Sequence, residues 1–272
     1  MKYLKNFFAI GLFSMSALLA FSQTTAPKLQ LVEITTTQGV IIVKLYNETP
    51  EHRDNFIKLI KQGFYDSLLF HRAIPDFMIQ GGDPTSKYAP KDSFIGNGDL
   101  GYRIPAEINP KLYHKRGALS AARDNSPDKS SNPSQFFIVQ GRKFTNEELS
   151  TILNQVNYGI KQELFQTVVK SDSVNKRINE FMLRGDQESM QSYMQSLQPA
   201  IDKLYEPKQL GFSIKQINTY INVGGAPHLD ATYTVFGEII SGIEVVDKIA
   251  ALPRNTYDRP LQDVRMKMKL IN

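Results

Sequence analysis

A chain of 272 residues, 41% hydrophobic and 22% charged, can bury a sizeable core as one domain or two small ones. It has no cysteine, which excludes disulfides, a thiol nucleophile and a cysteine-based zinc site. Its formal charge of +5, without a long Lys/Arg run, is too small to mark a nucleic-acid partner. His52, His71, His114 and His228 lack the spacing of a zinc site, so neither a metal nor a cofactor is expected.

Residues 1–22 read as a secretory signal peptide. Lys2 and Lys5 give a basic start, residues 7–19 form an apolar run broken only by small residues, and Ala20-Phe21-Ser22 offers a small-x-small cleavage site. The run is short for a bilayer span. Cleavage without stable membrane insertion is therefore expected, with the protein exported to the periplasm or secreted. A short polar leader follows at 23–28.

Residues 31–36 and 40–46 are β-branched runs separated by Gln38-Gly39, which predicts a hairpin with Ile41, Val43 and Leu45 on one face. Thr49-Pro50 predicts a helix start with Thr49 as its cap. Phe56, Ile57, Leu59 and Ile60 form the apolar stripe, and Gly63 ends the helix. Two short apolar segments, 68–74 and 77–79, flank the turn signal Pro75-Asp76 and predict a second hairpin, after which Gly81-Gly82 permits a sharp turn. Inside this hairpin sits Arg72, a cation that cannot shed its charge and that presents a rigid fork of donors. Taken alone, it reads first as half of a surface salt bridge.

Residues 84–90 are polar and loop-like, and Gly96-Asn97-Gly98 and Gly101 supply turns. Residues 117–122 read as a strand, 123–133 as a loop and 134–139 as a buried strand. From 145 to 208 the pattern changes. Apolar residues recur at helical spacing, from Leu149 and Val156 through Ile160, Leu164, Val174 and Met182 to Met190, Met194, Ile201 and Leu204. That predicts two to four amphipathic helices, opened by Thr145-Asn146-Glu147-Glu148 and closed by Pro207. A turn at 224–227, a strand at 233–240, a helix at 241–252 and a half-buried strand at 264–270 complete the chain. Many short strands with two helices suit a closed antiparallel barrel.

Three strings, in this order, resemble the signature of the cyclophilins, the barrel-shaped peptidyl-prolyl cis/trans isomerases. The first runs Phe70-His71-Arg72-Ala73-Ile74-Pro75-Asp76-Phe77-Met78-Ile79-Gln80-Gly81-Gly82-Asp83 and matches every fixed position of FHR-x-I-P-x-F-M-x-Q-G-G-D. The second is Ser134-Gln135-Phe136-Phe137-Ile138. The third is His228-Leu229-Asp230 followed by Tyr233-Thr234-Val235-Phe236-Gly237. The resemblance covers residues 29–144 and 209–272. It implies a mainly β fold, a closed eight-stranded antiparallel barrel capped by two helices, with 145–208 as a helical insertion. Residues 104–108 resemble a further family strand.

The resemblance also implies a function: isomerisation of X-Pro bonds in proline-containing polypeptides, in support of protein folding. Arg72 is implied as the catalytic donor and Gln80 as the residue that orients it. Phe77, Met78, Phe137 and Leu229 resemble the pocket for the proline ring, although each taken alone reads first as ordinary core. Gln135 resembles the second site glutamine, and Tyr233 stands where relatives carry histidine or tyrosine. Ala122-Arg123 replaces an alanine-asparagine pair whose asparagine backbone binds substrate, and Arg123 reads equally as a solvated loop charge. The residues leave open an alternative of another class, a non-catalytic peptide-binding or chaperone module on the same barrel. In either case the insertion could hold clients or a partner protein.

His228 stands where typical eukaryotic members carry a tryptophan that helps hold cyclosporin, and this chain has no tryptophan. Cyclosporin titrated into an isomerisation assay is expected to inhibit weakly. An affinity as tight as that of the eukaryotic relatives contradicts this placement of His228.

Overall fold

The structure, a computed structural model, describes residues 29–91 and 93–271; the expected signal peptide at 1–22 lies outside them. Strands β1 (Gln30–Thr36) and β2 (Gly39–Leu45) form the first hairpin, with Gly39 at a φ of 138°. Helix α1 (Pro50–Lys61) begins on Pro50 and is followed by Gly63 in the left-handed region. Its expected cap is wrong: the Thr49 side chain makes no capping hydrogen bond. The Glu107 carboxylate instead accepts from the amides of Glu51 (3.1 Å) and His52 (3.0 Å), so a distant anion serves the helix start.

Strands β3 (Phe70–Ile74) and β4 (Met78–Gly81) form the second hairpin, turning through Asp76 at a φ of 62°. Then come β5 (Ala118–Ala121), β6 (Phe136–Val139), β7 (Val235–Ser241) and β8 (Met266–Ile271). The eight strands form one antiparallel sheet in the order β3-β4-β6-β5-β7-β2-β1-β8. Residues 104–108 form no strand and make only the bridge Ile104–Ser131. Pro105 has no amide to donate, and the Glu107 amide goes to Thr234 Oγ1.

The expected closed barrel is corrected to an open one: no ladder joins β3 to β8. The two edges meet only around the bridge Leu69–Arg265, where Phe70 donates to Val264 and Met266 donates to Leu68, each at 2.9 Å. Beyond it the 253–262 loop intervenes, and Ala73 donates to Asp258 (2.9 Å) rather than to β8.

Alternation along the strands sorts side chains onto two faces. Val32, Ile34, Ile41, Val43, Ile79, Leu119, Phe136, Ile138 and Met268 point into the interior. Phe56, Leu59 and Ile60 of α1 complete that core, together with Val245, Val246 and Ile249 of α7 (Ile243–Ala250). Phe56 makes edge contacts with Phe136 and Phe236. Among the described residues, no helix is long and apolar enough to cross a membrane.

Five helices lie between β6 and β7: α2 (Asn146–Val169), α3 (Asp172–Arg184), α4 (Gln187–Ser196), α5 (Gln198–Tyr205) and α6 (Ile214–Asn222). Thr145 and Glu148 form a reciprocal capping box at the start of α2, as expected. Leu149 and Tyr220 pack with Tyr113 and Phe144, which fastens both ends of this helical segment to the loops before β5 and after β6. The expected apolar stripes of α3 and α4 are mostly not buried: Val174 is the buried residue of α3, α4 buries none, and Met182 and Leu183 are exposed.

At Gly82, φ is +90° and an added Cβ would lie 2.1 Å from the Ser134 carbonyl oxygen. Gly82→Ala combines a disfavoured backbone with a clash against the Ser134 backbone, and is expected to cost about 3 kcal/mol or more. Urea denaturation checks this; a midpoint equal to that of the wild type contradicts it.

Candidate active site

The β3–β4 register pairs Phe70 with Gly81, then Arg72 with Gln80, Ala73 with Ile79 and Ile74 with Met78. His71 is therefore one residue extra, a β-bulge. Phe70 and Ala73, three apart, both point into the interior, and Arg72 falls on the opposite face. In a regular strand Arg72 would share the face of Phe70. Direct cross-strand pairing then places Arg72, Gln80, Phe137 and Ser120 in one row across β3, β4, β6 and β5. The next row is Ile74, Met78 and Val139.

On this face Met78, Ala122, Phe137 and Leu229 form an apolar cluster, with Phe77 and Tyr233 packed against it. The Tyr233 ring stands edge-on to Phe137 at 5.7 Å between centroids, and His228 packs against Phe77 at 5.3 Å. A buried polar clamp braces these rings. His114 stacks on Phe137 at 6.0 Å. Its Nδ1 lies 2.8 Å from Asp230 Oδ1 and its Nε2 lies 3.2 Å from Ser120 Oγ. The Tyr220 hydroxyl, on α6, donates to Asp230 Oδ2 at 2.6 Å, and burial beside that carboxylate keeps it protonated.

A second polar chain orients the glutamines. The buried Asp83 carboxylate accepts from the amides of Gly96 (2.8 Å) and Gly98 (2.9 Å). The Gly96 and Gly98 carbonyls accept from Gln135 Nε2, at 2.9 and 3.0 Å. Gln135 Oε1 must then face Gln80, whose Nε2 donates to it at 3.0 Å. This leaves the Gln80 carbonyl oxygen, the acceptor a guanidinium needs, uncommitted among the described residues. Arg72 is half-buried, with side-chain exposure of 42%, and its Nε lies 3.5 Å from Asp258 Oδ2, too long for a hydrogen bond to hold it. Arg123 stacks over the Tyr233 ring at 4.9 Å and donates to the Thr232 carbonyl at 2.8 Å.

Residues 31–197 and 215–269 match the family model described as "Cyclophilin type peptidyl-prolyl cis-trans isomerase/CLD". The chain belongs to this family. Peptidyl-prolyl cis-trans isomerase ppi1 of Schizosaccharomyces pombe is 34% identical over 148 residues, 54% of this chain and 91% of that protein. A Streptococcus pyogenes protein named "Putative bifunctional phosphatase/peptidyl-prolyl cis-trans isomerase" is 30% identical over 243 residues, 88% of this chain; the match spans only 37% of that longer protein. The crystal structure of a cyclophilin-type isomerase from Cryptosporidium parvum shares the fold at a TM-score of 0.54, with 21% identity, over 90% of this chain and 99% of that one.

In this cyclophilin-family chain the eleven expected site residues are joined by contacts: Arg72 and Gln80 share a register row, Gln80 bonds Gln135, Phe77, Met78, Ala122, Phe137, Leu229 and Tyr233 pack together, His228 packs on Phe77, and Arg123 stacks on Tyr233. Sequence reasoning missed Asp258, which reaches Arg72 from a distant loop that only its Asp-Arg-Pro turn signal marks. It also missed the clamp of His114, Ser120, Asp230 and Tyr220, for which nothing in the spacing gives a sign.

His71, the bulge residue, is 2% exposed. Burial lowers its pKa to about 4, aided by Arg72 and Arg259 and opposed by Asp83. Between pH 6.5 and 4 the unfolded chain binds a proton at this site that the native chain does not. Stability present at neutral pH is therefore lost on acidification through that window, by about 2–3 kcal/mol at most from this residue. Urea denaturation at pH 7 and 4.5 should show a larger loss for wild type than for His71→Gln; equal losses contradict the assignment.

Proposed function

We propose that this chain catalyses cis/trans isomerisation of X-Pro bonds, with Arg72 stabilising the twisted amide. The barrier near 20 kcal/mol arises because the amide nitrogen shares its lone pair with the carbonyl. Twisting localises that pair on nitrogen. A donor aimed there stabilises the transition state more than the ground state, which is the condition for catalysis. Arg72 supplies a permanently charged donor fork. Its row-mate Gln80 offers the acceptor that orients it, and the proline ring would sit against Met78, Phe137 and Leu229 while the acyl side rotates. No bond is made or broken, and no titrating acid or base is required.

The observation that carries this reading is the register row: a guanidinium, an oriented amide and an aromatic wall side by side on one sheet face. A Cryptosporidium parvum isomerase with the same fold has been crystallised in the presence of the dipeptide Ala-Pro, which supports a proline-containing ligand for the apolar cluster beside Arg72. The basic and then apolar pattern of residues 1–22 supports exported polypeptides as clients, with a role in their folding. We read 145–208 as a helical insertion into the barrel, fastened beside the site.

Arg72→Ala is expected to lower kcat/KM for a proline peptide by about a hundredfold, the scale of one lost oxyanion-hole donor. Because the side chain is half-exposed, the unfolding midpoint should stay within about 2 °C of wild type. Equal isomerisation rates would leave the barrel as a peptide-binding module.

A further inference from the structure

A groove of about 1070 Å³ runs between the 123–131 loop and α2. Its apolar part is Ile160, Leu164, Pro127 and Ala231. Its charged lining is one-sided: Arg123, Lys129, Lys170 and Lys208 stand against the single carboxylate of Glu163. Glu163 is already faced by Lys129 Nζ at 3.8 Å, and Lys129 also donates to the Ala231 carbonyl at 3.2 Å. Lysine 129 thus acts as a strut between loop and helix. Lys170 and Lys208 are exposed and have no ion-pair partner among the described residues, and the Arg123 guanidinium meets only carbonyls and the Tyr233 ring.

The groove adjoins the proposed proline pocket. Phe137 to Tyr233 is 5.7 Å and Tyr233 to Arg123 is 4.9 Å, together about three residues of extended chain at ~3.3 Å each. An extended peptide with its proline on Phe137 can therefore lay side chains into the groove from about the third residue onward.

We propose that this groove is a secondary subsite for the client polypeptide, selecting carboxylate side chains about three to five residues from the isomerised bond. The proposal rests on the isomerase reading for its pocket, and adds to it the class of client preferred. Uncompensated cations beside an apolar floor fit an extended segment carrying Asp or Glu among small apolar residues. Exposed pairs of this kind are individually weak and sensitive to salt. The subsite therefore biases choice among clients while leaving the bond rotation itself to Arg72.

The test uses the full chain and two labelled proline peptides, identical except for Glu or Ser at three to five residues on either side of the X-Pro pair. At low salt, wild type should turn over the Glu peptide about fivefold more efficiently in kcat/KM, the scale of two or three exposed ion pairs, with the gain lost near 0.5 M NaCl. Lys170→Glu/Lys208→Glu should abolish or invert that ratio while leaving the Ser peptide unchanged. A ratio of one in wild type, or a ratio unmoved by the double substitution, overturns the proposal. So does a single-stranded oligonucleotide that outcompetes the Glu peptide for the groove. If neither peptide is isomerised, the isomerase reading fails on its own account. Fluorescence anisotropy of the same peptides then decides the groove: tighter binding of the Glu peptide by wild type only supports the subsite, and equal binding overturns it.

Discussion

One extra residue in one edge strand determines where the guanidinium points. His71 bulges β3, so that Phe70 and Ala73 both enter the interior and Arg72 emerges on the other face, in line with Gln80 and Phe137. A bulge breaks ladder pairing locally, and here the surroundings hold it. Phe70 still donates to Val264 across the barrel seam, and Ala73 donates to Asp258. The same open seam that denies the sheet full closure gives the 253–262 loop room to bring Asp258 to Arg72.

The side chains of the candidate site are held by two polar chains. Asp83 fixes the loop at Gly96 and Gly98, that loop fixes Gln135, and Gln135 fixes Gln80. Beneath the aromatic wall, Asp230 gathers His114 and Tyr220, and His114 in turn meets Ser120. The Asp230 cluster is buried and bonded throughout, the condition under which polar networks rigidify rather than destabilise, whereas the Asp83 chain ends on the half-buried Gln80 with its carbonyl oxygen still free to accept. Tyr220 is notable because it comes from α6. The helical segment between β6 and β7 therefore reaches directly under the pocket and is more than an appendage.

Much of the fold was legible in the sequence because it rests on local chemistry. Gly39 and Pro75-Asp76 turn the hairpins, the 41/43/45 alternation faces inward, and Thr145 with Glu148 starts α2. What was not legible depended on contacts distant in sequence. Thr49 looked like a cap, yet Glu107 arrived from another loop to do that work. Residues 104–108 read as a strand, yet their backbone was claimed by Thr234 and by a single bridge. Helical periodicity in α3 and α4 showed that an apolar face exists, not that anything covers it. Helix α6 was missed although Ser213 and Gln216 carry its capping-box signature. For the site, the residue set came from the resemblance to the cyclophilins, and the bulge that aims Arg72 is invisible to a period-two reading.

A crystal structure with a bound Ala-Pro-containing peptide decides whether Arg72 acts on the twisting amide. The proline ring should lie against Phe137, Met78 and Leu229, with the Arg72 guanidinium turned from Asp258 to within hydrogen-bond reach of the prolyl nitrogen. A proline seated elsewhere, or an Arg72 still directed at Asp258 with the ligand in place, would contradict it.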